Sequence, residues 1–106
     1  MITYKKRYYP ENLNKNEIIL DIETTGLDSQ HDQLVLLGFI TYENHKCYII
    51  QYFAEDNSEE QRLLEIYLKM IEDKKVITYN GDKFDMPFLN IRLDYHKLFL
   101  FLSWQL

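Results

Sequence analysis

The sequence predicts an α/β chain, a mixed sheet with helices packed on it, from three observations. Three strand-like apolar runs come first, at 17–22, 34–42 and 47–53. A stripe with the 3.6-residue helical period follows them up to about residue 72. A short fourth apolar run at 76–79 then leads into a second helical segment, so the order is β-β-β-α-β-α.

Each element has its own warrant. After a polar lead-in, Glu17–Ile22 (EIILDI) reads as a buried strand that stops at Thr24-Thr25-Gly26. Leu34–Tyr42 (LVLLGFITY) and Cys47–Phe53 (CYIIQYF) are two more strands, and the polar residues Glu43 to Lys46 join them as a hairpin. Ser58 to Gln61 (SEEQ) fits a capping box, in which the serine and glutamine side chains satisfy reciprocal backbone amides. The stripe of Leu63, Leu64, Tyr67, Met70 and Ile71 is the apolar side of the helix that follows. Val76–Tyr79 is a short strand, and about Met86 to Tyr95 is a second helix. The last ten residues, Lys97 to Leu106 (KLFLFLSWQL), are mostly apolar with no partner element announced.

With 106 residues the expectation is a single domain, 1–106. Hydrophobic residues at 46% and aromatic residues at 15% exclude a disordered chain. A net charge of −5 excludes a generally basic nucleic-acid coat protein, but not an enzyme whose acids sit in a metal site. No apolar run approaches the ~18 residues of a membrane span, and the basic N-terminus lacks the apolar core of a signal peptide. The lone Cys47 excludes an internal disulfide, so a reducing, cytoplasmic location is the expectation.

The strongest local feature is Asp21-Ile22-Glu23 at the carboxyl end of the first strand. Side chains alternate along a strand, so Asp21 and Glu23 share one face with Cα atoms about 6.6 Å apart. Ile18, Leu20 and Ile22 take the other face. Two converging carboxylates can bind a hard divalent cation, and the alternative is a solvated strand end. The second feature runs from Val76 through Asn80-Gly81 to Asp85, just ahead of Met86-Pro87. Asn-Gly is also a favoured two-residue turn, and an aspartate before a Pro-started helix is also an ordinary N-cap.

Taken together, DIETTGL at 21–27 and NGDKFDMPFL at 80–89 resemble the first two motifs of the DEDD exonucleases, the 3′–5′ exonuclease branch of the ribonuclease H-like superfamily. The longer stretches 21–38 and 76–89 are most similar to the YprB-like ribonuclease H-like family, and the likeness covers roughly residues 17–92. The resemblance implies a ribonuclease H-like mixed sheet and two-metal phosphodiester hydrolysis with Mg²⁺ or Mn²⁺. Asp21 would bridge both ions, Glu23 would hold the ion that activates water, and Asp85 would help hold the ion near the leaving oxygen. Thr24, Thr25, Gly26 and Leu27 would line the terminal nucleotide of a DNA or RNA 3′ end, and Asn80 and Phe84 would contact or support it. Gly26 has an alternative duty in the turn, and Phe84 in the core.

Relatives supply a fourth carboxylate from a late H-x4-D or Y-x3-D segment. His31, His45 and His96 are followed five places on by Leu36, Ile50 and Phe101, so H-x4-D is absent. Y-x3-D occurs once, from Tyr52 to Asp56, between the first two motifs and out of place for the third. On a helix Asp94 falls opposite Asp85, and His96 returns to the same face about 16 Å along the axis. The chain therefore resembles the first half of an exonuclease domain, incomplete at the C-terminus. The alternative function is a non-catalytic or degenerate module that binds nucleic acid or a protein partner, or self-associates through the tail 97–106. Few of its twelve Lys and Arg residues serve such a reading, Lys5, Lys6, Arg7, Lys83, Arg92 and Lys97, which implies modest, salt-dependent phosphate affinity.

Overall fold

The computed structural model describes residues 1–79, 81 and 83–98. Asn80, expected at the nucleotide, and residues 99–106 of the apolar tail lie outside the described residues. Among the described residues five strands and two α-helices follow one another: β1 (Ile2–Arg7), β2 (Glu17–Thr24), β3 (Leu34–Glu43), β4 (Lys46–Phe53), α1 (Glu60–Ile71), β5 (Lys75–Thr78) and α2 (Asp85–Tyr95). They form one sheet in the order β1-β4-β3-β2-β5. β2, β3 and β4 make the expected antiparallel meander, β1 adds antiparallel to β4, and β5 runs parallel to β2. The fold is the mixed α/β sheet of the sequence reading with one more strand. Among the described residues no helix is long and apolar enough to cross a membrane.

The extra strand is β1, read from sequence as polar lead-in. All six of its residues are exposed, so it carries none of the in-out alternation that marks a half-buried strand. It is held from the side instead. Lys5 lies over the Tyr48 ring at 4.4 Å and pairs with Glu43 at 2.6 Å. The Met1 amine reaches Glu55 at 2.6 Å and Glu59 at 2.8 Å. Lysines on an outer strand also discourage pairing with another chain.

One face of the sheet carries the core. Ile18, Leu20 and Ile22 from β2 and Leu34, Leu37 and Phe39 from β3 pack against Leu63, Leu64, Tyr67 and Leu68 of α1 and Phe88, Leu89 and Leu93 of α2. Each large apolar side chain so buried contributes roughly 1.5–3 kcal/mol. The β3–β4 turn is only Asn44-His45, with φ of 50° and 71°, the mirror-image geometry whose twist suits two antiparallel strands.

The helix ends correct one expectation and explain another feature. The capping box at Ser58 to Gln61 does not form. Asp56, one turn earlier, accepts from the Ser58 amide at 2.9 Å and caps a single 3-10 turn, Asn57–Glu59, that leads into α1. The aspartate wins because its short carboxylate reaches the amide two residues on, whereas the Glu59 carboxylate accepts from the Glu55 amide. At the far end of α2, Lys97 adopts φ of 61°. Its amide donates to Asp94 O at 3.0 Å and that of Leu98 to Leu93 O at 2.8 Å, a Schellman ending that folds Leu98 back onto the core.

Candidate metal centre

The expected carboxylates arrive from two directions. On β2, Ile18, Leu20 and Ile22 point into the core, so Asp21 and Glu23 stand on the opposite, open face and are exposed. The pairing of β2 with β3 shifts register between Glu23 and Thr24, leaving Val35 as an extra residue in β3. Ala54 donates its amide to Val35 O at 2.8 Å, which satisfies the extra carbonyl of the bulge, across from the end of β2 that carries the two acids.

Asp85 comes from the neighbouring strand. β5 runs parallel to β2 with Thr78 opposite Leu20, so its carboxyl end emerges beside Asp21. The chain then turns through Gly81, where any Cβ would overlap the Thr78 side chain; only glycine permits that approach. Met86 donates its amide to Gly81 O at 2.8 Å, and Asp85 becomes the first residue of α2. Asp85 is therefore not the helix N-cap: Phe84 holds that place, and it makes no side-chain cap bond.

Asp85 is 9% exposed, and among the described residues nothing donates a hydrogen bond to its carboxylate. Burial pushes its carboxyl above the ordinary aspartate value, and the negative charge of Asp21 pushes it further in the same direction. The two aspartates are thus close enough to feel each other. Glu23 follows on the same face of β2, but among the described residues no three His, Cys, Asp or Glu side chains gather into a ready-made cation cluster. The donor set still suits a hard divalent ion: carboxylate oxygens, one of them buried and, among the described residues, without a counter-charge.

The residues expected to line the terminal nucleotide form a bonded loop. Thr24 Oγ1 donates to Gly26 O at 2.7 Å. Thr25 Oγ1 donates to Asp32 at 3.1 Å and accepts from the Gln33 amide at 2.9 Å. Gly26 lies against the Asp32 carboxylate, where a Cβ would not fit, so the turn does use this glycine. Both hydroxyl protons are occupied within the loop, and Leu27, 85% exposed, is the side chain it presents to solvent. Phe84 is half-buried and packs on Phe88, against the core, with ring centroids 5.3 Å apart. Tyr52 of the Y-x3-D segment packs edge-on against Phe39, and Asp56 caps the 3-10 turn, so neither joins the acids.

One buried cluster escapes the sequence reading. Glu60, the first residue of α1, is 1% exposed and Arg92 of α2 is 2% exposed. Arg92 Nε lies 3.0 Å from both Glu60 oxygens, and its Nη2 also donates to Oε1. His96 Nε2 sits 2.7 Å from Oε1, the Leu34 amide donates to Oε2 at 2.7 Å, and Arg92 Nη1 reaches Ser29 O at 3.3 Å. Burial works to raise the Glu60 carboxyl, but the bonds from Arg92, His96 and the Leu34 amide outweigh it and hold it below the ordinary range. Arg92 is therefore not the free phosphate-facing cation that its type suggests. The available signal is its position: Phe88, Leu89, Arg92, Leu93 and His96 share one helical stripe, and a cation on an apolar stripe requires a buried anion.

Residues 18–101 match the family model described as RNase_H superfamily. No curated protein matches the chain.

Proposed function

The chain belongs to the RNase H superfamily, and from that premise we propose that it carries the first two of the three motifs of a divalent-metal-dependent 3′–5′ exonuclease site of the DEDD type, acting on a DNA or RNA 3′ end. The observation that carries this reading is Asp85, a buried carboxylate without a partner among the described residues and beside the charge of Asp21. Such an arrangement opposes folding unless a cation joins the two groups. Asp21 and Asp85 would hold Mg²⁺ or Mn²⁺, with Glu23 closing from the next outward position on β2. When bound, the metal supplies an activated water and neutralises charge that develops on the phosphate. The chain's own part is to fix the carboxylates in a half-buried corner. The Thr24–Leu27 loop offers backbone and the exposed Leu27 side chain to the last nucleotide, held in shape by Asp32.

The test is a melting titration with Mn²⁺ alongside digestion of a 5′-labelled oligonucleotide. Mn²⁺ at a hundred times its Kd raises stability by about 2.7 kcal/mol in the wild type. Asp21→Asn and Asp85→Asn remove most of that rise, and shortening from the 3′ end requires all three acids. No thermal response to Mn²⁺ overturns the site. A second reading, a non-catalytic module, is favoured by the lack of a gathered three-ligand cluster among the described residues. A Mn²⁺-dependent melting shift with no shortening of DNA or RNA selects it.

A further inference from the structure

We propose that the buried Glu60–Arg92–His96 cluster is a positioning device that sets Asp85 against Asp21, holding the two halves of the site in register through a single carboxylate. This rests on the metal-site reading above. The acids lie on separate pieces of chain: Asp21 and Glu23 on β2, Asp85 at the start of α2. α2 leaves β5 through a turn and carries no side-chain cap at its N-terminus, so its first residue is not anchored by a cap bond.

Its other end is anchored. Asp85 and Arg92 are seven residues apart, about 10.5 Å along the helix and nearly on the same stripe. Phe88 and Leu89 are buried between them. Arg92 and His96 grip Glu60, so the helix is fixed about the root of α1. The same Glu60 accepts the Leu34 amide at the start of β3. The next residue back, Gln33, donates its amide to Thr25 Oγ1 at 2.9 Å and accepts the Thr25 amide at 2.9 Å. Thr25 is two residues beyond Glu23. Arg92 also reaches Ser29 O in the same loop. A continuous path of short bonds thus runs from α2 through Glu60 to the segment that follows the β2 acids. A planar guanidinium is what such a junction needs, since it bonds a carboxylate and a carbonyl at once; a lysine ammonium keeps the charge but not the fork.

The variants are Arg92→Lys and, as the milder lesion, His96→Gln, with the core variant Leu64→Val as the control for lost stability alone. Two readouts are taken on the full chain: Mn²⁺ affinity by calorimetry, below the melting temperature of each variant, and metal-free amide exchange by NMR. Expected are a roughly tenfold or greater weakening of Mn²⁺ affinity in Arg92→Lys, a smaller one in His96→Gln, and none in Leu64→Val. Exchange should quicken at Met86, Phe88 and Thr25 while the β3–β4 ladder keeps its protection. Unchanged Mn²⁺ affinity in both cluster variants overturns the proposal, as does equal weakening in Leu64→Val. If the wild type itself shows no Mn²⁺ response, the metal-site reading fails, and exchange alone decides. Quickening confined to Met86, Phe88 and Thr25 supports the positioning link, and unchanged exchange there overturns it. Should Arg92→Lys fail to fold, His96→Gln carries the same comparison.

Discussion

Glu60 opens α1 and Asp85 opens α2, and both carboxylates are nearly out of solvent, at 1% and 9% exposure. Both are acids in the first turn of a helix, where the positive end of the helix dipole favours an anion. Their surroundings differ. Glu60 accepts from Arg92 and the Leu34 amide and has His96 against it, and its carboxyl is held below the ordinary value. Asp85 is pushed above its ordinary value by burial first and then by the like charge of Asp21. The Glu60 carboxylate is satisfied by protein donors, whereas that of Asp85 has none among the described residues. Burial alone therefore does not distinguish the two acids; the groups around each carboxylate do.

The largest way to break the comparison is to remove Glu60. Glu60→Ala leaves Arg92 buried without its anion, and unfolding in urea should show a loss of about 3–5 kcal/mol. The double variant Glu60→Leu with Arg92→Met removes both charges and should lose much less, because no uncompensated ion remains; the orphaned Leu34 amide still costs about 1–3 kcal/mol. If the double variant loses as much as Glu60→Ala, the cluster's contribution is shape and not charge.

The second test uses pH. A carboxyl lowered in the folded state contributes stability that is present above its unfolded value, near 4.5 for glutamate, and is lost as pH falls through the folded value. Wild type should therefore keep its full advantage over Glu60→Gln down to about that pH and lose it progressively in more acid solution. Paired denaturation curves across the acid range check this. An advantage that persists undiminished in strong acid would mean that Glu60 is not ionised in the fold.

Much of this architecture is legible in the residues. β2, β3 and β4 announce themselves because each sets apolar residues against one buried face. Strand alternation is also enough to put Asp21 and Glu23 together, away from Ile18, Leu20 and Ile22. The proximity of Asp21 and Asp85 follows once β5 lies parallel to β2, which motif order alone does not dictate. β1 is not legible because its stabilising contacts, Lys5 on Tyr48 and Glu43, are with residues some forty positions away. The Glu60 cluster is hidden for a related reason. Nothing local marks Glu60 as a buried acid, because its partner Arg92 lies 32 residues later.

The smallest expected effect is the sharpest test of the comparison, since it predicts a change of sign. Asp85→Asn keeps the shape of the side chain and removes its charge. Without metal, near neutral pH, it should stabilise the chain by roughly 0.5–1 kcal/mol, because it relieves the repulsion with Asp21 and the burial of an unpaired anion. A carboxyl raised in the fold contributes stability that is present below its unfolded value, 3.8 for aspartate, and lost as pH rises through the folded value. The gain from Asp85→Asn should accordingly be absent in acid and appear as pH climbs. Saturating Mn²⁺ should then reverse the order of the two proteins, because only the wild type retains the charge that holds the ion. Should Asp85→Asn be the less stable protein without metal at neutral pH, Asp85 would be a satisfied structural acid like Glu60, and the distinction between the two helix starts would fail.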